Sequence, residues 1–112
     1  MCNRENLKKI TDEIVNASLA ITPKIKGIIL YGSYARDDNT DESDIDVMIL
    51  LDCTDGEYKE LRKKISRIVD NVGYEHDMVV SPIVKLKQHF DEWLPYLPFY
   101  KNIQREGVVL YG

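Results

Sequence analysis

Apolar residues recur along this chain in two rhythms, one helical and one extended. From Arg4 to Ile21, Leu7, Ile10, Ile14, Ala17 and Ile21 fall at spacings of three and four. That spacing predicts an amphipathic helix with one buried stripe, and Pro23 stops it. Gly27 to Tyr31 is a short isoleucine-rich run, expected as a buried strand. A polar, acidic stretch from Gly32 to Ser43 separates it from a second expected strand, Asp44 to Leu51. Alternate residues of a strand point to opposite faces. Ile45, Val47, Ile49 and Leu51 therefore make one wholly apolar face. Asp44, Asp46, Met48 and Leu50 make the other, which begins with two carboxylates and turns apolar. Such a strand belongs at the centre of a sheet.

In the second half, Glu57 to Asp70 predicts another helix, with Tyr58, Leu61, Ile65, Ile68 and Val69 on its apolar side and Gly73 just past its end. Tyr74 to Val80 is expected as a third strand. Ser81-Pro82 then reads as a helix start, with Ser81 as cap and Pro82 at the first helical position. Ile83, Leu86, Phe90 and Trp93 would line its buried side. A short helix is expected after Pro98, and Val108 to Tyr111 as a closing strand. The alternation predicts an α/β (α+β) fold, with a mixed central sheet of about four strands covered by helices. It forms a single domain over residues 1–112.

Composition narrows the function. With 44% apolar and 30% charged residues, the chain reads as an ordinary soluble globular protein rather than a disordered one. Its net charge of −4 argues against a long nucleic-acid ligand, which needs a basic surface to neutralise phosphates. A small nucleotide carried with metal ions stays compatible. No apolar run is long enough to span a membrane, and the N-terminus carries no signal-peptide stretch. Cys2 and Cys53 match no metal-ligand spacing and read as free thiols in a reducing, cytoplasmic compartment.

The candidate chemistry is acidic. Asp44 and Asp46 project from one strand face, about 6–7 Å apart along the chain. Two ionised carboxylates that close repel unless a cation lies between them. Oxygen-only donors suit Mg²⁺, with Mn²⁺ as an alternative. Asp77, expected inside the third strand, would complete a site for two ions about 3.5–4 Å apart, an arrangement that supports in-line displacement at phosphorus. Gly32-Ser33 ends the first strand and supplies a turn whose amides approach phosphate oxygens closely. Ser33 can donate its hydroxyl, and Arg36, one turn on, can pair with terminal phosphates. Asp37, Asp38, Asp41 and Glu42 read as a solvated loop. His76 reads as a packing or surface residue, His89 as the exposed side of its helix, and the tyrosines as packing and rim residues. The 93–100 aromatic stretch fits either packing against the sheet or a partner surface; packing is the expectation.

The run Gly32-Ser33-Tyr34-Ala35-Arg36-Asp37-Asp38-Asn39-Thr40-Asp41-Glu42-Ser43-Asp44-Ile45-Asp46 resembles the signature of the DNA polymerase beta-like nucleotidyltransferase superfamily: Gly-Ser, a spacer, then Asp-x-Asp. The closest likeness is to the minimal nucleotidyltransferases, the MNT-domain proteins, and it extends over nearly the whole chain. The resemblance implies the nucleotidyltransferase fold. It implies Asp44, Asp46 and Asp77 as metal ligands and catalytic carboxylates, and Gly32, Ser33 and Arg36 on the triphosphate. The family often has glycine after the arginine, where this chain has Asp37.

The resemblance further implies Mg²⁺-dependent transfer of AMP from ATP to a hydroxyl. The expected acceptor is a tyrosine of a HEPN-family ribonuclease toxin, which would make the chain its antitoxin and a component of a hetero-oligomer. Two other readings are carried. One is a non-catalytic antitoxin that masks its HEPN partner by contact. The other is a small-molecule, antibiotic-modifying nucleotidyltransferase, disfavoured because such enzymes generally carry an extra helical domain.

Overall fold

The computed structural model describes residues 3–112. The thiol expected at Cys2 lies outside them, while Cys53 is a free thiol. The elements run α1 (Arg4–Ile21), β1 (Ile25–Tyr31), α2 (Ser33–Arg36), β2 (Ile45–Leu51), α3 (Asp55–Glu75), β3 (Val80–Leu86), α4 (Lys87–Trp93), α5 (Pro98–Glu106) and β4 (Val108–Tyr111). The sheet order is β3-β2-β1-β4, with β1 antiparallel to β2 and β4 and β3 parallel to β2. A parallel neighbour needs a crossover, and α3 supplies it. The expected mixed four-stranded sheet covered by helices is what forms.

α1 has the predicted bounds. Asn3 caps it by accepting from the Asn6 amide at 2.8 Å. Its buried side holds Ile10, Thr11, Ile14 and Ser18. α3 opens on a capping box between Thr54 and Glu57. The two helices lie together on one side of the sheet. There they seal Ile28 and Leu30 of β1, Ile45, Val47, Ile49 and Leu51 of β2, and Val80 and Val84 of β3. On the other side, Phe90 of α4 and Tyr100 and Ile103 of α5 close over Met48 and Leu50, with Ile29, Tyr31 and Ile83 at the margin. The two apolar faces read from β2 are thus the two cores.

The third strand is displaced from its predicted position. Residues 74–77 are not extended. α3 continues to Glu75 and ends in a Schellman arrangement, in which the Met78 amide donates to the Gly73 carbonyl at 2.9 Å and the Asp77 amide to that of Tyr74 at 3.2 Å. Asp77 takes the left-handed conformation this cap requires, φ 55. Gly73 is therefore not the stop. It lies buried within the last turns, where a Cβ would meet the Met78 carbonyl and Val80 Cγ2 at 2.7 Å. Ser81-Pro82 starts no helix either, and Ile83 and Leu86 belong to β3. β3 is an edge strand hydrogen-bonded only to β2, and an edge tolerates a proline that lacks its amide. α4 is correspondingly short. Phe90 is buried as expected, but Trp93 is 46% exposed and lines no buried side.

Candidate active site

Three pieces of local structure meet at the acid-bearing end of β2. Tyr31, the last residue of β1, stands opposite Asp46. Gly32 follows at φ 77, ψ −156, and N-caps the single turn α2. A Cβ at Gly32 would lie 2.4 Å from Asp46 Oδ2. Glycine is needed here twice over: for its backbone conformation and so that the turn can rest directly on the carboxylate. Ser33 opens α2, and the Ala35 and Arg36 amides both return to the Gly32 carbonyl at 3.1 Å.

Asp44 immediately precedes β2 and is exposed, while Asp46 is half-buried. Burial pushes the Asp46 carboxyl above its ordinary value, the adjacent Asp44 charge adds to this, and the Arg36 charge opposes it. The same neighbourhood pushes the Tyr31 hydroxyl up to about 12, first by burial and then through Asp46. Two adjacent carboxylates, one of them half-buried beneath a glycine turn, suit a small hard cation held between oxygen donors.

Arg36 is engaged in the resting chain. Its Nε donates to Asp38 at 3.1 Å and its Nη1 to Glu106 of α5 at 3.4 Å. Reaching a phosphate therefore requires exchange of these carboxylates. Asp37 occupies the left-handed C-cap of α2, φ 63, ψ 31, and pairs with Arg4 at 3.1 Å. This conformation explains why glycine suits the position and why aspartate, which tolerates it, can replace it. Asp37, Asp38, Asp41 and Glu42 are exposed, as expected of a solvated loop.

Asp77 does not join the acids from within a strand. It is exposed in the turn that ends α3, and no group of three metal-ligating side chains gathers among the described residues. The β3 residue opposite Asp46 is Ser81, whose hydroxyl donates to Asp44 Oδ2 at 3.5 Å. The local sequence around Ser81 predicts a helix cap. Only the parallel register brings it to the acids, and no local signal announces that register. His76 bonds Glu13 at 2.9 Å, and His89 is exposed with Nδ1 3.0 Å from the Tyr100 hydroxyl, so neither serves the acids. The aromatic stretch divides: Tyr100 packs, whereas Tyr96 is 73% exposed and Phe99 44%. A cavity of about 720 Å³ opens elsewhere, on the α1 side between Leu7, Tyr34 and Val109.

The nucleotidyltransferase domain profile matches residues 6–110. "Putative protein adenylyltransferase MJ0604" of Methanocaldococcus jannaschii is 36% identical over 95% of this chain and 99% of its own length. A second protein of that organism, "Putative protein adenylyltransferase MJ0141", is 36% identical over 62% of this chain and 69% of its own. Among solved structures, a Sulfolobus solfataricus protein described as a putative nucleotidyltransferase superposes with a TM-score of 0.62 at 22% identity, over 90% of this chain and 76% of that one. A tri-AMPylated Shewanella oneidensis HEPN toxin in complex with MNT antitoxin gives 0.51 at 19% identity, over 94% and 71%. The structural likenesses speak for the fold. With the profile and the curated relatives, they place the chain in a family: it belongs to the nucleotidyltransferase domain family. It is a nucleotidyltransferase. No helix among the described residues is long and apolar enough to cross a membrane.

Proposed function

We propose that this chain transfers AMP from ATP to a protein hydroxyl in a Mg²⁺-dependent reaction in the cytoplasm. Its acceptor is a tyrosine of a HEPN-family toxin, so the chain acts as an antitoxin within a hetero-oligomer. The observation that carries the reading is the contact between the Gly32 turn and the Asp46 carboxylate, with Asp44 beside it. It joins a phosphate-type turn to a cation-type acid pair. The names of the curated relatives support protein adenylylation, and the solved toxin complex supports the choice of partner.

Asp44 and Asp46 would hold the divalent cation, and Mn²⁺ can replace Mg²⁺ there. When bound, such a cation neutralises phosphate charge and lowers the pKa of an attacking hydroxyl. The chain's own residues do the rest. The Gly32-Ser33 turn and the Ser33 hydroxyl bind the β- and γ-phosphates, and Arg36 exchanges Asp38 and Glu106 for the terminal phosphate. Ser81 orients Asp44 through its hydroxyl.

The placement of Asp77 in a helix cap favours a second reading, neutralisation by contact alone. One experiment separates the two. The chain and the double variant Asp44→Ala/Asp46→Ala are each co-expressed with the HEPN toxin, and the toxin is analysed by mass spectrometry. Transfer predicts AMP on a toxin tyrosine with the wild type, and none with the variant, which still binds but no longer protects growth. Full protection by the variant, with no AMP on the toxin in either case, would overturn transfer and establish masking.

A further inference from the structure

Phe99 is exposed where helix packing gives it no reason to be. On α5, Tyr100 and Ile103 already supply the buried side, and Phe99 turns instead toward Tyr31. The two rings meet edge to face with centroids 5.6 Å apart. Tyr31 directly precedes Gly32 and stands opposite Asp46, so Phe99 is one ring removed from the acid pair. The ring is also held firmly. The adjacent Tyr100 ring packs on Phe90 at 4.9 Å and lies 6.1 Å from the Phe99 ring, and the Tyr100 hydroxyl meets His89 at 3.0 Å. Trp93 and Tyr96 are exposed too, but their ring contacts are with His89 and each other, not with Tyr31.

We propose that Phe99, braced by Tyr31, is the platform on which the nucleobase of the bound nucleotide stacks. The inference rests on the nucleotidyl-transfer reading. An α-phosphate held beside Asp44 and Asp46 places its nucleoside just beyond them, and a rigid, half-exposed aromatic ring at that position is a surface for a flat ligand. Every base offers a π-face, so a platform of this kind binds without strong base preference. ATP, GTP, CTP and UTP are expected to bind within about tenfold of one another, since stacking tolerates sequence.

The test compares two ligands, each with Mg²⁺: a non-hydrolysable ATP analogue and inorganic tripolyphosphate, which lacks base and sugar. Both are titrated by calorimetry into the wild type, Phe99→Leu and Phe99→Trp. Phe99→Leu keeps an apolar contact with Tyr31 and removes the ring. It should weaken the ATP analogue by on the order of ten- to a hundredfold and leave tripolyphosphate within about twofold, while Phe99→Trp binds the analogue as the wild type does. Equal weakening of both ligands by Phe99→Leu, or of neither, would overturn the platform while leaving nucleotidyl transfer standing. A wild type that binds neither ligand would overturn both.

Discussion

The two sides of the sheet share strand β2 but treat it differently. Facing α1 and α3, Ile45, Val47, Ile49 and Leu51 are all fully buried. Facing α4 and α5, the same strand passes from Asp44 and Asp46, left near solvent, to Met48 and Leu50 under Phe90, Tyr100 and Ile103. The first side uses the whole length of the strand for burial. The second gives up two positions of core to hold carboxylates that repel each other. The difference separates stability from chemistry along a single alternating sequence, and it predicts that substitutions on the two sides have opposite signatures.

The largest effect is expected from Asp46→Asn. On the transfer account it lowers AMP transfer by about a thousandfold or more, because cation stabilisation of the reacting phosphate is worth several kcal/mol. The metal-free chain should meanwhile become slightly more stable, since burial and Asp44 disfavour the Asp46 charge more than Arg36 supports it, although solvent screening keeps the gain small. Thermal melts beside a transfer assay check both signs. Ile49→Ala on the closed side should do the reverse, costing about 2–5 kcal/mol in denaturant titrations through lost burial and a cavity, with transfer by the remaining folded fraction little changed. Gly32→Ala sits where the sides meet. A non-glycine residue at φ 77 with its Cβ against Asp46 should cost about 1–3 kcal/mol and weaken nucleotide binding as well. The smallest effect is a gain. Ser18 on α1 is buried with its hydroxyl unpartnered, and Ser18→Ala should stabilise by roughly 1 kcal/mol without touching transfer.

The closed side was nearly all legible in the sequence, because it is written in local periodicity: the bounds of α1 and the faces of β2 follow from it directly. The acid pair and the Gly32 turn were legible for the same reason, as neighbours along one strand and one turn. What was not legible depends on how distant segments register. Asp77 directly precedes the apolar Met78-Val79-Val80 and so reads as part of a strand, yet the chain spends it on a left-handed cap ending α3. Ser81-Pro82 carries the local signature of a helix start, but an unpaired edge lets the proline into β3 and brings Ser81 opposite Asp46. Phe99 gave no signal of its own, since its neighbours in sequence are as aromatic as it is and only packing separates them.

The central claim, that the acids on the open side serve the transfer of a nucleotide's α-phosphate, is tested most directly by positional labelling. ATP labelled at either the α- or the γ-phosphate is incubated with the chain, Mg²⁺ and the HEPN toxin, and protein-bound label is counted. The account predicts that α-label stays on the toxin, γ-label leaves with pyrophosphate, and Asp46→Asn abolishes the α signal. Protein-bound γ-label, or α-label that persists undiminished in Asp46→Asn, would contradict it.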